Sequence, residues 1–117
     1  MKKISKKQAA INRKKAELYI KIGMIREHKC TGCDRYDVPL SHSHKIPISR
    51  RKDLELDINN ITYHCLDFGN RPGCHTLWSG GLADKQKLLD YWNSIHYIKE
   101  KDSEYYHLLM MDKNKLT

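Results

Sequence analysis

The residues with the greatest capacity for chemistry lie in one stretch, between positions 30 and 78. This stretch holds all four cysteines and four of the seven histidines of the 117-residue chain. Cys30 and Cys33 form a C-x-x-C pair, and Cys65 and Cys74 supply a second pair of thiols. Four thiolates are a common ligand set for a tetrahedral structural zinc ion. The sequence therefore predicts Zn²⁺ bound by these four cysteines.

Two disulfides, or four buried thiols that only pack, are the alternatives to a metal site. The basic start "MKKISKKQAAINRKK" is not followed by the apolar run of a secretory signal, so we expect a cytoplasmic protein. Thiols in a reducing compartment stay reduced and are free to bind metal. The eight residues between Cys65 and Cys74 exceed a standard knuckle. Their Gly69, Pro72 and Gly73 predict a loop that returns Cys74 to the metal.

Between the two cysteine pairs lies a strand-like segment, "DVPLSHSHKIPI", over 37–48. Side chains two positions apart share one face of a strand, which places His42 and His44 side by side. Two such imidazoles can be directed at one metal ion or one reacting group. A second short strand over 61–64 runs into Cys65 and is expected to pair with the first as an antiparallel hairpin. We interpret His64 as an exposed strand residue.

The remaining elements are predicted to be helices. Ser5 and Gln8 form a capping-box pattern that starts a helix at Lys6, and this helix runs to about residue 21. A helical turn begins at Cys74, and longer helices follow over 82–99 and 104–111. The apolar residues of the 82–99 helix recur at helical spacing and are expected in the core: Leu88, Trp92, Ile95 and Ile98.

The net charge of +8 is concentrated in the first 29 residues, which carry ten Lys or Arg and two Glu. Residues 30–117 carry twelve residues of each sign. A basic block of this kind favours a polyanion such as nucleic acid, although a solvated helix face is the alternative. We expect the helix to pack its apolar stripe, which includes Ile22 and Ile25, on the core. No apolar run is long enough to cross a membrane. The predicted nucleic-acid-binding residues are Arg13, Lys14 and Lys15 on this arm, with Arg50, Arg51 and Lys52 after the first strand.

The order of the chemically active residues resembles the HNH endonuclease family, in particular its small phage-type members. The residues that carry this resemblance are Cys30, Cys33, His44, Pro47, Asn60, Cys65, Cys74 and His75. The resemblance implies an α+β fold with a small ββα-metal (HNH, or His-Me finger) core and a structural zinc site. That finger spans 30–78 of a single domain, between a basic N-terminal helical arm (1–29) and C-terminal helices (79–117).

The resemblance also implies a role for each matching residue. His44 would be the general base that takes a proton from the attacking water, and Asn60 would tie the finger together and orient that base. In some branches the Asn also approaches the metal. His75 would bind one catalytic divalent cation, Mg²⁺ or another. The family usually has an acidic or histidine ligand just before the catalytic histidine, where this chain has Ser43, so His42 or a water held by Ser43 could supply the missing ligand.

Together these features predict a metal-dependent endonuclease that hydrolyses phosphodiester bonds in double-stranded DNA. We expect a monomer or weak dimer in the cytoplasm of a bacterium or a phage-infected host cell. A non-catalytic zinc-ribbon module that only binds nucleic acid is the alternative. The two hypotheses differ at His44, because a pure binding module needs no His-Asn-His set.

Overall fold

A computed structural model describes residues 5–115, which form a small α+β fold. The fold combines one two-stranded antiparallel sheet with five helices in the described part of the chain. In chain order the elements are α1 (Lys6–Ile25), β1 (Leu40–His44), β2 (Ile61–Cys65), α2 (Cys74–Trp78), α3 (Leu82–Lys85), α4 (Tyr91–Lys101) and α5 (Ser103–Lys115), with short 3₁₀ turns at Lys52–Leu54 and Ile58–Asn60 before β2.

The predicted hairpin is confirmed, with Leu40 opposite Cys65 and His44 opposite Ile61. β1 is shorter than the predicted 37–48, because regular pairing ends at His44. Beyond this point the backbone N–H of Ile46 is bonded by a side chain, the Oδ1 of Asn60, at 2.8 Å. The chain therefore leaves the sheet directly after the residue predicted to be the general base.

The start of α1 is confirmed, since the Ser5 hydroxyl accepts a hydrogen bond from the Gln8 N–H at 3.1 Å. Its predicted end near residue 21 is wrong, because the helix continues through Gly23 to Ile25. A glycine in an exposed helix costs about 1 kcal/mol relative to alanine, which is too little to end a helix that is held elsewhere. Ile22 is fully buried against the hairpin residues Ile61 and Tyr63. Ile25, in contrast, is 61% exposed, so its predicted place in the core is wrong.

The predicted helix over 82–99 is two helices, α3 and α4, separated by a turn. The break occurs where the Leu89 N–H donates to the carbonyl of Gly32 at 2.8 Å, a bond that replaces a helical one. As a result Leu88, Ile95 and Ile98 are buried as predicted, whereas Trp92 is 69% exposed and was wrongly placed in the core.

The last helix begins one residue earlier than predicted and extends to Lys115. Asp102 caps it by accepting a hydrogen bond from the Tyr105 N–H at 3.1 Å. α4 and α5 pack together, and with α2 and α3 they cover one side of the hairpin. No helix within residues 5–115 combines the length and the apolar character needed to cross a lipid bilayer.

Candidate functional site

The four cysteines converge as the sequence predicted. All four sulfur atoms lie within 4.8 Å of one another, and none is in a disulfide. The Sγ atoms of Cys33 and Cys65 are 3.8 Å apart, which is about the separation of two sulfurs in a tetrahedron with zinc–sulfur bonds of about 2.3 Å. Cys30, Cys65 and Cys74 are buried, and Cys33 is half-buried. The cluster could therefore hold a metal ion such as zinc.

Two glycines allow the backbone to approach the cluster this closely. A Cβ atom on Gly32, inside the C-x-x-C pair, would lie 2.8 Å from the Cys74 sulfur. A Cβ atom on Gly73 would lie 2.3 Å from the carbonyl oxygen of Cys65. Neither position can carry a larger side chain without displacing a cysteine. The predicted loop between Cys65 and Cys74 is thus closed by Gly73 through close packing.

Backbone N–H groups point at two of the sulfurs. The Cys65 N–H donates to the Cys30 sulfur at 3.2 Å, and the Cys74 N–H donates to the Cys65 sulfur at 3.3 Å. Hydrogen bonds to a sulfur stabilise its negatively charged form, which is the form that binds metal. Backbone hydrogen bonds therefore favour the thiolate form of these cysteines, which is the form that binds a metal ion.

Without a metal, Cys30, Cys33 and Cys74 do not ionise alike. A hydrogen bond from Cys74 lowers the pKa of Cys30 to about 4. The same hydrogen bond, together with burial, raises the pKa of Cys74, and burial raises the pKa of Cys33. One thiolate therefore exists at neutral pH while neighbouring sulfurs keep their protons. A bound cation would offset the burial and hydrogen bonding that favour their protonated forms.

A second group of polar residues surrounds a cavity of about 310 Å³ between the end of β1 and α2. Ser43 and His75 meet here, with 2.7 Å between the serine Oγ and the histidine Nδ1. His44 also lines this cavity. Its Nε2 lies 3.0 Å from the carbonyl oxygen of Glu55. Because a carbonyl can only accept, Nε2 carries the proton in the neutral ring and Nδ1 keeps a free lone pair.

β1 and α2 are tied together at this cavity. The indole N–H of Trp78, the last residue of α2, donates to the backbone carbonyl of His44 at 3.1 Å. His75 lies in the same five-residue helix. The positions of His44 and His75 are therefore linked through Trp78.

Asn60 is fully buried and uses both ends of its amide. Its Oδ1 accepts from the Ile46 N–H at 2.8 Å, and its Nδ2 donates to the carbonyls of Ile46 and Leu54, each at 3.2 Å. These bonds hold the chain that leaves β1 against the chain that enters β2. They place Asn60 in a supporting position next to His44, with its amide committed to the backbone.

His42 lies on a different surface of the hairpin from the Ser43–His75 contact. Its ring stacks on Tyr19 of α1, with centroids 3.7 Å apart and planes within 1° of parallel. Burial, with a smaller contribution from the charge of His44, lowers the pKa of His42. Within residues 5–115 the contact to His75 is made by Ser43, and His42 instead joins the arm to the sheet.

The predicted basic residues have unequal environments. Arg50 is paired with Asp102 at 3.0 Å, and Arg51 with Asp53 at 2.8 Å. Both guanidinium groups thus fix the loop after β1 to neighbouring side chains, while Lys52 is exposed. On α1, Lys15 is paired with Glu55 at 3.1 Å. Arg13 and Lys14 are exposed to solvent.

The interpretation of His64 as an exposed residue is wrong, because it is fully buried. Its Nε2 lies 2.8 Å from Oδ2 of Asp90, and the Thr31 hydroxyl donates to the same oxygen at 2.6 Å. Burial alone would raise the pKa of Asp90, but the bonds from His64 and Thr31 outweigh it and hold that pKa below its usual value. Every residue of β2 is buried, so no position of this strand faces solvent. An uncharged run, "ITYHC", is the signal for a strand covered on both faces.

The sequence matches no family model, and no curated protein or solved structure shows significant similarity to it. Any assignment of this chain to a family therefore depends on its own residues and their geometry.

Proposed function

We propose that this chain is a metal-dependent DNA endonuclease of the HNH type. The observation that supports this most directly is the cavity where His44, Ser43 and His75 meet. Ser43 and His44 of β1 and His75 and Trp78 of α2 line it, and β1, β2 and α2 follow one another along the chain in the order expected of a ββα-metal finger. The order of these residues in the sequence favours this family, and their proximity around one cavity is compatible with it.

In the proposed reaction, His44 accepts a proton from the water that attacks the phosphodiester. The bond to the Glu55 carbonyl holds the ring with its unprotonated Nδ1 available, which is the form a general base requires. Asn60 supports this arrangement because it fixes the Leu54 carbonyl, one residue before Glu55. Substrate would enter the cavity from the solvent side, where His75 is exposed.

His75 would hold the catalytic cation through Nε2. A metal-bound imidazole commonly donates its other N–H to an oxygen, and the Ser43 hydroxyl is at the right distance to accept it. Ser43 therefore serves to orient His75, and water would complete the coordination sphere. One imidazole with several waters suits a hydrated divalent ion, and the nitrogen ligand favours Mn²⁺ over Mg²⁺. When bound, this ion would neutralise the scissile phosphate and the departing 3′ oxygen.

DNA binding is proposed for the exposed basic side of α1. Arg13 and Lys14 are free of ion pairs among the described residues, and Lys21 is also exposed. The arm contacts the finger through Tyr19 on His42 and Lys15 on Glu55. A phosphate backbone held along α1 would therefore lie close to the elements that carry His44.

The decisive experiment is incubation of supercoiled plasmid with the purified protein and Mg²⁺ or Mn²⁺, with and without EDTA. Cleavage by the wild type should depend on the metal. His44→Ala should lower the rate by roughly 10² to 10⁴ while zinc content and DNA affinity stay constant. His96→Ala is the matched control, because this histidine is exposed on α4, outside the cavity.

His75→Ala should also lose activity, but excess Mn²⁺ should restore part of it, whereas added metal should not help His44→Ala. Wild-type-like cleavage by His44→Ala would disprove the mechanism. If the wild type binds DNA but does not cleave it with or without added metal, the non-catalytic binding module is favoured.

A further inference from the structure

A separate cavity of about 320 Å³ lies on the opposite side of α2 from the His44–His75 cavity. Leu77 of α2 faces this second cavity, whereas His75 and Trp78 face the first. Cys33, Cys65 and Cys74 of the cluster line it, together with several apolar residues. The apolar wall residues are Val38, Leu66, Phe68, Pro72 and Leu77.

Phe68 stands at the mouth of this cavity and is 70% exposed, and its neighbour Leu66 is 41% exposed. The loop that carries Phe68 is ordered by its own backbone. Phe68 and Arg71 exchange two N–H to carbonyl bonds, each of 3.0 Å, and Gly69 supplies the positive φ of 59° that the tight turn needs. An exposed aromatic ring on a fixed loop beside an apolar cavity is a platform for a partner of similar character.

The rim of the cavity is positively charged. Arg35, Arg71 and Lys87 line it, and none of the described lining residues is acidic. Within residues 5–115 neither Arg35 nor Arg71 forms an ion pair, whereas Lys87 pairs with Asp84 at 3.3 Å. Unpaired guanidinium groups beside an apolar cavity favour a ligand with a flat apolar part and a negative charge.

We propose that this cavity takes an unpaired nucleotide of the DNA substrate. The base would stack on Phe68, and its phosphate would bind the guanidinium groups of Arg35 and Arg71. Aromatic stacking with a cationic groove is the common mode of binding single-stranded DNA. The inference depends on the proposed function, since it assumes that DNA is the ligand of this chain.

The position of this cavity relative to the His44–His75 cavity predicts which DNA the protein should prefer. A helix is about 10 Å across, so α2 separates the unpaired base from the His44–His75 cavity by only a few nucleotides of one strand. DNA with an unpaired nucleotide near the cleavage point should therefore be preferred over a fully paired duplex. An unpaired base can bind without the free-energy cost of unstacking and unpairing a base in a duplex.

Binding without added divalent cation tests this inference independently of cleavage. The probes are a duplex with a single bulged 2-aminopurine and a fully paired duplex with the same base, followed by fluorescence anisotropy and 2-aminopurine emission. The wild type should prefer the bulged duplex and quench its emission. Phe68→Ala should weaken binding to the bulged duplex by about tenfold and abolish the quenching, since stacking contributes about 1.4 kcal/mol or more per base.

Trp92→Ala is the matched control, because Trp92 is an aromatic residue of similar exposure outside the cavity. Arg71→Gln should reduce affinity without abolishing the quenching, and zinc content verifies that each variant is folded. Equal affinity of the wild type for both duplexes, or unchanged binding by Phe68→Ala, would overturn the inference even if the protein cuts plasmid. Bulge-specific quenching by a protein that cuts no DNA would support the inference and reject the proposed catalysis.

Discussion

Asn60→Ala should strongly destabilise the protein, and the structure gives the size of the effect. The substitution removes three hydrogen bonds, each with a net contribution of about 1 kcal/mol. It also leaves the N–H of Ile46, a fully buried residue, without a partner, at a further cost of about 1 kcal/mol or more. The free energy of unfolding should thus fall by about 4 kcal/mol, a large part of the 5–15 kcal/mol typical of a whole domain.

The measurement is urea denaturation of the zinc-loaded protein, followed by far-ultraviolet circular dichroism. Asn59→Ala is the matched control, because Asn59 is the exposed neighbour, and its hydrogen bond to Asp57 is made by its backbone N–H. The control should change the free energy of unfolding by no more than about 0.5 kcal/mol. A loss below about 1 kcal/mol in Asn60→Ala would refute the structural role derived for this amide.

Three further predictions concern the metal, pH and DNA. Zinc binding at pH 7 should release the protons of Cys33 and Cys74, whose pKa values are raised in the metal-free cluster, and calorimetry in buffers of different ionisation enthalpy measures this release. Because the folded pKa of Asp90 is lowered, its stabilising effect is complete above about pH 4 and is lost as the pH falls through that lowered value. The stability difference between Asp90→Asn and the wild type, from denaturation at a series of pH values, should therefore be constant at neutral pH and shrink in acid. A triple change of Arg13, Lys14 and Lys21 to Gln should flatten the salt dependence of DNA binding, by about 0.9 in log–log slope per lost phosphate contact; an unchanged slope would exclude the arm from the DNA interface.

Several local elements of the fold follow from the sequence because their signals are local. The first strand of the hairpin is bounded by Pro39 and Pro47, and the start of α1 is marked by Ser5 and Gln8. The convergence of the four cysteines is predictable because four thiols are a common ligand set for zinc, whatever path the chain takes between them. These features were predictable because each depends on residues close in sequence or on one dominant ligand chemistry.

Features created by distant contacts were not predictable. The interruption between α3 and α4 depends on a bond from Leu89 to Gly32, a residue more than fifty positions away. Helical spacing alone predicts an uninterrupted helix through this point, with Trp92 buried. In the same way, His64 is buried because Asp90 reaches it from the start of α4.

Ser43, His44 and His75 of the candidate cavity were singled out from the sequence, but their relationships were not. Strand alternation predicts His42 and His44 side by side, yet it says nothing of Tyr19, whose ring stacks on His42, while His44 lines the cavity with Ser43 and His75. The contact between Ser43 and His75 required the position of α2, which depends on the loop closed by Gly73. The ion pairs of Arg50 and Arg51 likewise depend on where the C-terminal helices pack.

The shortness of α2 has a consequence for how activity would depend on zinc supply. Five residues are too few to form a stable helix alone, so α2 is held by its ends. Its first residue, Cys74, belongs to the four-cysteine cluster, and its last, Trp78, donates a hydrogen bond to the His44 carbonyl. His75 is adjacent to the first of these anchors. In the proposed endonuclease, loss of zinc would release the end of α2 that carries His75, so the cleavage rate of a preparation should rise with the fraction of chains that carry the ion.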